Sequence, residues 1–95
     1  MHERILRRFR DRIRAKEYVM TVHAEEEMTD DGFSILDVEH GILAGQIIER
    51  QRDFRTREWK YLGEGPSLSG GSVVVVAKLG QTNKLVMITV YRTQP

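Results

Sequence analysis

His23 opens an acidic run, His23-Ala24-Glu25-Glu26-Glu27-Met28. An imidazole changes charge near neutral pH, so it can give or take a proton under physiological conditions. If the run is helical, Glu26 and Glu27 stand at i+3 and i+4, on the same face as His23. A carboxylate there orients the ring and favours its charged form, which suits general acid–base catalysis. The plainer reading is a surface or capping histidine in an acidic helix, and spacing alone favours it. His2 and His40 have weaker cases: His2 is nearly terminal, and His40 falls on the polar flank of a later helix. The acids 25, 26, 27, 30 and 31 would suit Mg²⁺ or Mn²⁺ by donor type. Their spacing matches no ligand motif, and consecutive glutamates diverge around a helix. A solvated face, or a docking surface for a basic partner, fits better.

A second group is cationic and aromatic: Arg50-Gln51-Arg52-Asp53-Phe54-Arg55-Thr56-Arg57-Glu58-Trp59-Lys60-Tyr61. Phosphates want Arg and Lys, and unstacked bases want flat rings. The alternative is a charged hairpin whose Trp59 and Tyr61 pack inward. Lys78, Thr89 and Tyr91 interrupt two apolar runs. A lysine in such a run must reach water or a partner, and neighbouring strands could bring it to the same sheet face as Thr89 or Tyr91. No phosphate loop, nucleophile elbow or dinucleotide fingerprint is present.

These groups must be positioned by helices in the first half of the chain and strands in the second. Ile5, Phe9 and Ile13, with Leu6, form an apolar stripe that predicts a helix over residues 3–16. Residues 18–20 read as a short extended lead-in. A second helix spans about 22–30, with Thr21 as N-cap and Gly32 as its end. Ser34 and Asp37 make a capping-box-like pair for a third helix with Ile35, Val38, Ile42 and Leu43 on its apolar face, stopped at Gly45. Strands follow over 46–51, 57–63, 72–79 and 85–92. Residues 52–56, 65–71 and 80–84 are the connections. Trp59 and Tyr61 alternate with Lys60 and Leu62. The last two strands, rich in Val and Ile, read as central strands covered on both faces. The expectation is an α+β domain, with N-terminal helices on one face of a four-stranded antiparallel meander. Residues 1–95 form a single domain, in which 1–17 could be a basic helical arm on an 18–95 core.

The chain has 95 residues, 40% hydrophobic and 31% charged, with no cysteine. That composition suits a soluble folded domain and excludes disulfides and thiolate metal sites. No apolar run reaches the length of a membrane helix, and absent cysteine suits the cytoplasm. The net charge of +1 hides a segregation. Residues 1–17 carry seven bases against three acids, 21–40 carry seven acids and no Lys or Arg, and 50–60 carry five bases against two acids. A polyanion and a basic surface could therefore meet different faces.

From about Val22 to Tyr91 the chain resembles the bacterial family called domain of unknown function 4258. The residues that carry the resemblance are His23-Ala24-Glu25-Glu26-Glu27-Met28, Asp31-Gly32-Phe33-Ser34, Gly45, Tyr61-Leu62-Gly63, Val73–Val76 and Ile88-Thr89-Val90-Tyr91. Glu27 and Asp31 depart from the pattern, since many members carry arginine there. The family is similar to RelE-like, BrnT-like and MqsR-like toxins of toxin–antitoxin pairs. The resemblance implies a RelE/barnase-like fold that binds RNA across its sheet, in the cytoplasm. It implies a metal-independent endoribonuclease in which a ribose 2′-OH attacks the adjacent phosphate, with no cofactor. It also implies an antitoxin partner of zinc-finger or helix-turn-helix type. The expected catalytic set is His23, Lys60, Tyr61, Thr89 and Tyr91, with Arg50, Arg52, Arg55, Arg57 and Lys78 holding RNA. Of the catalytic set, Lys60 rests on charge and location, as does Arg57 in its further role of phosphate clamp. Without those arginines at 27 and 31, two rivals stand beside the nuclease: a non-catalytic protein-interaction module, and an RNA-binding domain that does not cleave.

Overall fold

In the computed structural model, which describes residues 2–93, the N-terminal apolar stripe does form a helix, α1 (Glu3–Arg14). Phe9 and Ile13 are its buried members, and Ile5 packs beside them. Residues 3–14 therefore contribute to the common core and do not stand apart as an arm. The helix closes two residues earlier than the stripe predicts. The Lys16 amide bonds the Ile13 carbonyl and the Glu17 amide that of Arg12, with Lys16 at a left-handed φ of 58°, a closure that satisfies the last carbonyls.

The lead-in becomes a strand, β1 (Tyr18–Met20), and α2 (Val22–Asp30) follows at once. The Ala24 amide donates to the Thr21 hydroxyl, so the expected N-cap is present. In α3 (Ile35–Ala44) the capping box is complete: Ser34 Oγ accepts from the Asp37 amide, and the Asp37 carboxylate accepts from the Ser34 amide. Asp37 Oδ1 also accepts from the amides of Leu68 and Ser69, at 2.9 and 3.2 Å. The backbone bond from Ser34, reinforced by these others, holds its carboxyl below the ordinary value despite burial. One side chain thus starts a helix and pins the loop between two strands.

β2 (Gln46–Arg52), β3 (Trp59–Pro66), β4 (Ser72–Leu79) and β5 (Leu85–Arg92) form the expected antiparallel meander. The sheet nevertheless has five strands, in the order β1-β5-β4-β3-β2, because β1 pairs with β5 in parallel. It is mixed, and the four-stranded antiparallel expectation is corrected. A three-residue strand is too short to show a period of two, and its partner is the last strand of the chain. β3 starts at Trp59 and runs through Gly65 and Pro66, so the hairpin connection is longer than predicted and the next loop shorter.

All three helices contribute to a core on one sheet face, where Phe9, Ile13, Ala24, Val38 and Ile42 are buried with Val73, Val75, Ala77, Leu85, Met87 and Val90. Val74 and Val76 point away from that core. They are buried all the same, shielded by cross-strand neighbours: Glu64 and Tyr91 flank Val74, and Leu62 and Thr89 flank Val76. The central strands are thus covered by helices on one face only, contrary to the sequence expectation.

α3 approaches β3 at backbone distance. A Cβ on Gly65 would lie 2.0 Å from the Gly41 carbonyl oxygen and 2.8 Å from the Gly45 Cα. Gly63, in the same strand, meets nothing closer than 3.7 Å. Gly65→Ala should therefore cost about 3 kcal/mol or more by overpacking, whereas Gly63→Ala should stay within about 1 kcal/mol. Thermal unfolding of both variants checks this, and equal losses would refute the close-packing account.

A polar cluster ties the α1–β1 joint to α3. Lys16 Nζ lies 2.7 Å from the buried Glu39 carboxylate, which also accepts from the Tyr18 hydroxyl. Burial and the neighbouring carboxylate push the Tyr18 hydroxyl up from 10.0 to about 12. Burial opposes ionisation of Glu39, but the bonds from Lys16 and Tyr18 prevail and its carboxyl falls below the usual value. A raised phenol pKa contributes stability that is complete below pH 10.0 and lost as pH rises toward about 12. Tyr18→Phe should reduce stability at neutral pH and remove that part of the alkaline loss, read from unfolding midpoints across this pH range.

Candidate functional site

The course of β1 along β5 ends at Met20, and α2 continues it. The Thr21 amide donates to the Met87 carbonyl and its hydroxyl to that of Ile88, at 3.0 and 3.1 Å. Further along α2, Glu27 Oε1 accepts from the Val90 amide at 3.1 Å. One further turn on, Asp31 Oδ2 accepts from the Arg92 amide at 2.8 Å. Two carboxylates at i and i+4 thus replace a neighbouring strand for two amides at j and j+2. The Arg92 guanidinium returns the contact, donating to the Asp31 carbonyl and lying 4.3 Å from the Phe33 ring centre.

His23 belongs to this edge. Its Nε2 lies 3.2 Å from Glu27 Oε1, the same oxygen that holds Val90. The expected histidine–carboxylate pair is formed with Glu27 at i+4, on a ring that is 68% exposed. Among the described residues, no hydrogen bond, ion pair or ring contact joins His23 to an Arg, Lys or Tyr. No group of three His, Asp or Glu among them is placed to hold a metal ion.

The cations gather elsewhere. Arg50 and Arg52 on β2 stand opposite Tyr61 and Trp59 on β3. Their guanidinium carbons lie 3.9 and 4.8 Å from the Trp59 ring centre. The connecting turn is held by Asp53, whose Oδ1 accepts from the amides of Arg55 and Thr56; these bonds lower its carboxyl below the ordinary value. Arg57 closes the turn at a left-handed φ of 61°. Arg55 and Arg57 are exposed, and Phe54 at the tip is 96% exposed. β3 and β4 separate β2 from β5, so about 14 Å of sheet lies between the Arg50–Trp59 cluster and the edge that carries His23.

The remaining expected residues divide between the two faces. Tyr61 is on the helix side, edge-on to Phe9 at 5.8 Å and to His2 at 6.0 Å, where it packs under α1. Thr89 and Tyr91 pair with Val76 and Val74 and share the open face with them. The Tyr61–Ala77 pair places Lys60 and Lys78 on the next rung of that face. Lys78 reaches a partner as expected, with its Nζ 3.0 Å from Glu58 Oε1. Tyr61 is therefore separated by the sheet from Lys60, Thr89 and Tyr91, and the proposed catalytic five do not meet in one groove. Strand alternation already divides Tyr61 from Lys60.

Trp59 and Phe54 are the surface groups that sequence reasoning did not select as site residues. The signal was available for Trp59: Arg50 and Arg52 share a strand face, and a hairpin register opposite them reaches it. Glu27 was read as a neighbour of His23, and both Glu27 and Asp31 as parts of an acidic face and departures from a pattern, but neither as an acceptor for a strand edge, although their i, i+4 spacing marks one helix face.

A family model described as Domain of unknown function (DUF4258) matches residues 20–92. No curated protein and no solved structure matches the chain.

The edge bonds carry a direct expectation. Glu27→Ala leaves the Val90 amide without its acceptor and should cost about 1–2 kcal/mol, the range for a charge-assisted bond at a partly exposed site. Glu27→Gln keeps an acceptor oxygen and should retain most of that stability. Amide exchange should quicken at Val90 in the alanine variant alone; unchanged exchange there would disprove the edge role.

Proposed function

The chain belongs to the DUF4258 family, and we propose that it binds single-stranded RNA through the β2–β3 hairpin. The observation that carries this reading is the stacking of two guanidinium groups on Trp59 beside a tip that exposes Phe54, Arg55 and Arg57. Planar guanidinium groups stack on bases and donate to phosphate oxygens. An aromatic face takes any base, because every base has a π-face. Asp53 and the left-handed Arg57 give the turn a defined shape, which lowers the ordering cost of binding. The α1 arginines extend the positive field: Arg4 and Arg8 line a groove with His2, Ile5 and Tyr61, next to the hairpin. The acidic α2 lies at the opposite edge and repels a phosphate chain, so the field orients the ligand.

A second reading, the toxin-like endoribonuclease, is favoured by one observation. Glu27 is anchored by Val90 and holds the His23 ring. A base so oriented can take the proton from a ribose 2′-OH, whose oxygen attacks the adjacent phosphorus as the bond to the 5′ oxygen breaks. The cations that stabilise the growing charge are not beside it, so this chemistry would need RNA that spans from hairpin to edge or a partner that supplies them.

Anisotropy of a labelled single-stranded oligoribonucleotide tests the first reading. Trp59→Ala and the Arg50→Ala/Arg52→Ala pair should each weaken binding about tenfold or more, since stacking contributes about 1–3 kcal/mol per base. Affinity should also fall steeply with salt. Thr89→Val, on the open face, should leave it unchanged. Equal affinity of the wild type and the Trp59 variant would exclude the hairpin as the binding surface. The second reading requires a cyclic 2′,3′-phosphate product that forms in chelator and disappears in His23→Ala. Tight binding without product leaves the non-cleaving reading alone.

A further inference from the structure

We propose that the outer edge of β1 accepts an extended basic peptide from a partner protein as a sixth strand of the sheet. β1 is an edge strand, paired only with β5. The Leu85 amide bonds the Glu17 carbonyl, and the Thr21 amide bonds the Met87 carbonyl. In a parallel ladder these bonds set the phase, so that Val19 turns its amide and carbonyl toward β5. Tyr18 and Met20 therefore turn theirs outward. Among the described residues, neither has a further backbone or side-chain partner for those groups. Each offers one donor and one acceptor to an arriving strand.

The two sheet edges differ. On β2 the register shifts at Ile48, and Arg50 and Arg52 lie along the strand; a bulge and charges both discourage edge pairing. β1 has no charged side chain. Beside it runs a groove floored by Tyr18, Met20, Met28 and Ile35 and walled by Glu25 and Thr29. Val19 is 45% exposed at its margin.

Charge identifies the occupant. The wall of the groove continues into Glu26 and Asp30, and residues 21–40 hold no Lys or Arg. A second copy of the chain would bring the same acidic rim against this one, and like charges across an interface disfavour it. RNA is repelled for the same reason. A strand that alternates apolar residues with Lys or Arg satisfies the groove, the edge and the rim together. With only two outward-facing residues, the ladder is short, and the apolar groove must supply much of the affinity. This inference does not rest on the RNA reading, which concerns the other end of the sheet.

The test uses the full chain, labelled with ¹⁵N, and a synthetic seven-residue probe that alternates Lys and Val, acetylated and amidated at its ends. The probe should slow amide exchange at Tyr18 and Met20 and shift Met28 and Ile35 resonances. N-methylation of alternate probe residues should abolish binding in one frame and spare it in the other. A Glu–Val probe should not bind. The Glu25→Lys/Asp30→Lys pair, both exposed positions, should weaken the Lys–Val probe about tenfold at low salt. Unchanged exchange at Tyr18 and Met20, or equal effects of both N-methyl frames, would overturn the strand addition. An unaltered affinity in the charge-reversed pair would overturn the basic partner. A concentration-dependent dimer that protects β1 without the probe would assign the edge to a second copy instead.

Discussion

The architecture depends on how β5 is finished at its outer side. β1 covers only its first residues, and a strand edge left bare presents unpaired amides. α2 resolves this with side chains. Successive helical turns advance about 6.0 Å over four residues, and alternate strand residues repeat about every 6.6 Å. That near match lets Glu27 and Asp31 accept from Val90 and Arg92 in register. Aspartate and glutamate suit this because an ionised carboxylate only accepts, and an edge amide only donates. A basic side chain at either position has no lone pair to offer the strand.

This changes the meaning of the acidic segment. Charge counting treats residues 21–40 as one negative face. Within it, Glu27 and Asp31 are joined to β5, Asp37 holds a loop, and Glu39 is buried beneath Lys16 and Tyr18. The outward remainder, Glu25, Glu26 and Asp30, is what a partner would meet. His23 inherits its position from the structural acids, because the oxygen that faces the ring is the one that anchors Val90.

Much of the fold is legible where the determining contacts are local. Thr21, Ser34 with Asp37, and Gly45 mark helix ends through bonds within a few residues, and α2 and α3 lie where those signals place them. β4 and β5 are evident from runs of Val and Ile. What was missed depends on contacts distant in sequence. β1 is defined by a parallel partner at the far end of the chain, and the second oxygen of Asp37 by a loop beyond β3. The candidate site follows the same division. The His23–Glu27 pair is local and was expected. The separation of Tyr61 from Lys60 follows from alternation, yet that Tyr61 is packed under Phe9 while Trp59 stays outside depends on where α1 crosses the sheet.

That crossing also explains why the aromatic residues of β3 have different fates. Tyr61 and Trp59 share one face, two residues apart, but α1 ends its cover at Tyr61, where Phe9 and His2 meet the ring. Beyond that point the sheet continues without a helix above it. A tryptophan on uncovered sheet needs other neighbours, and β2 supplies Arg50 and Arg52, whose guanidinium groups lie over the indole. The same two arginines guard the β2 edge against strand addition. One pair of residues therefore shields a ring, closes an edge and creates a cationic stack. The opposite edge has no such pair, and the exposed side chains beside it are acidic, so the two sides of one small sheet carry opposite charge.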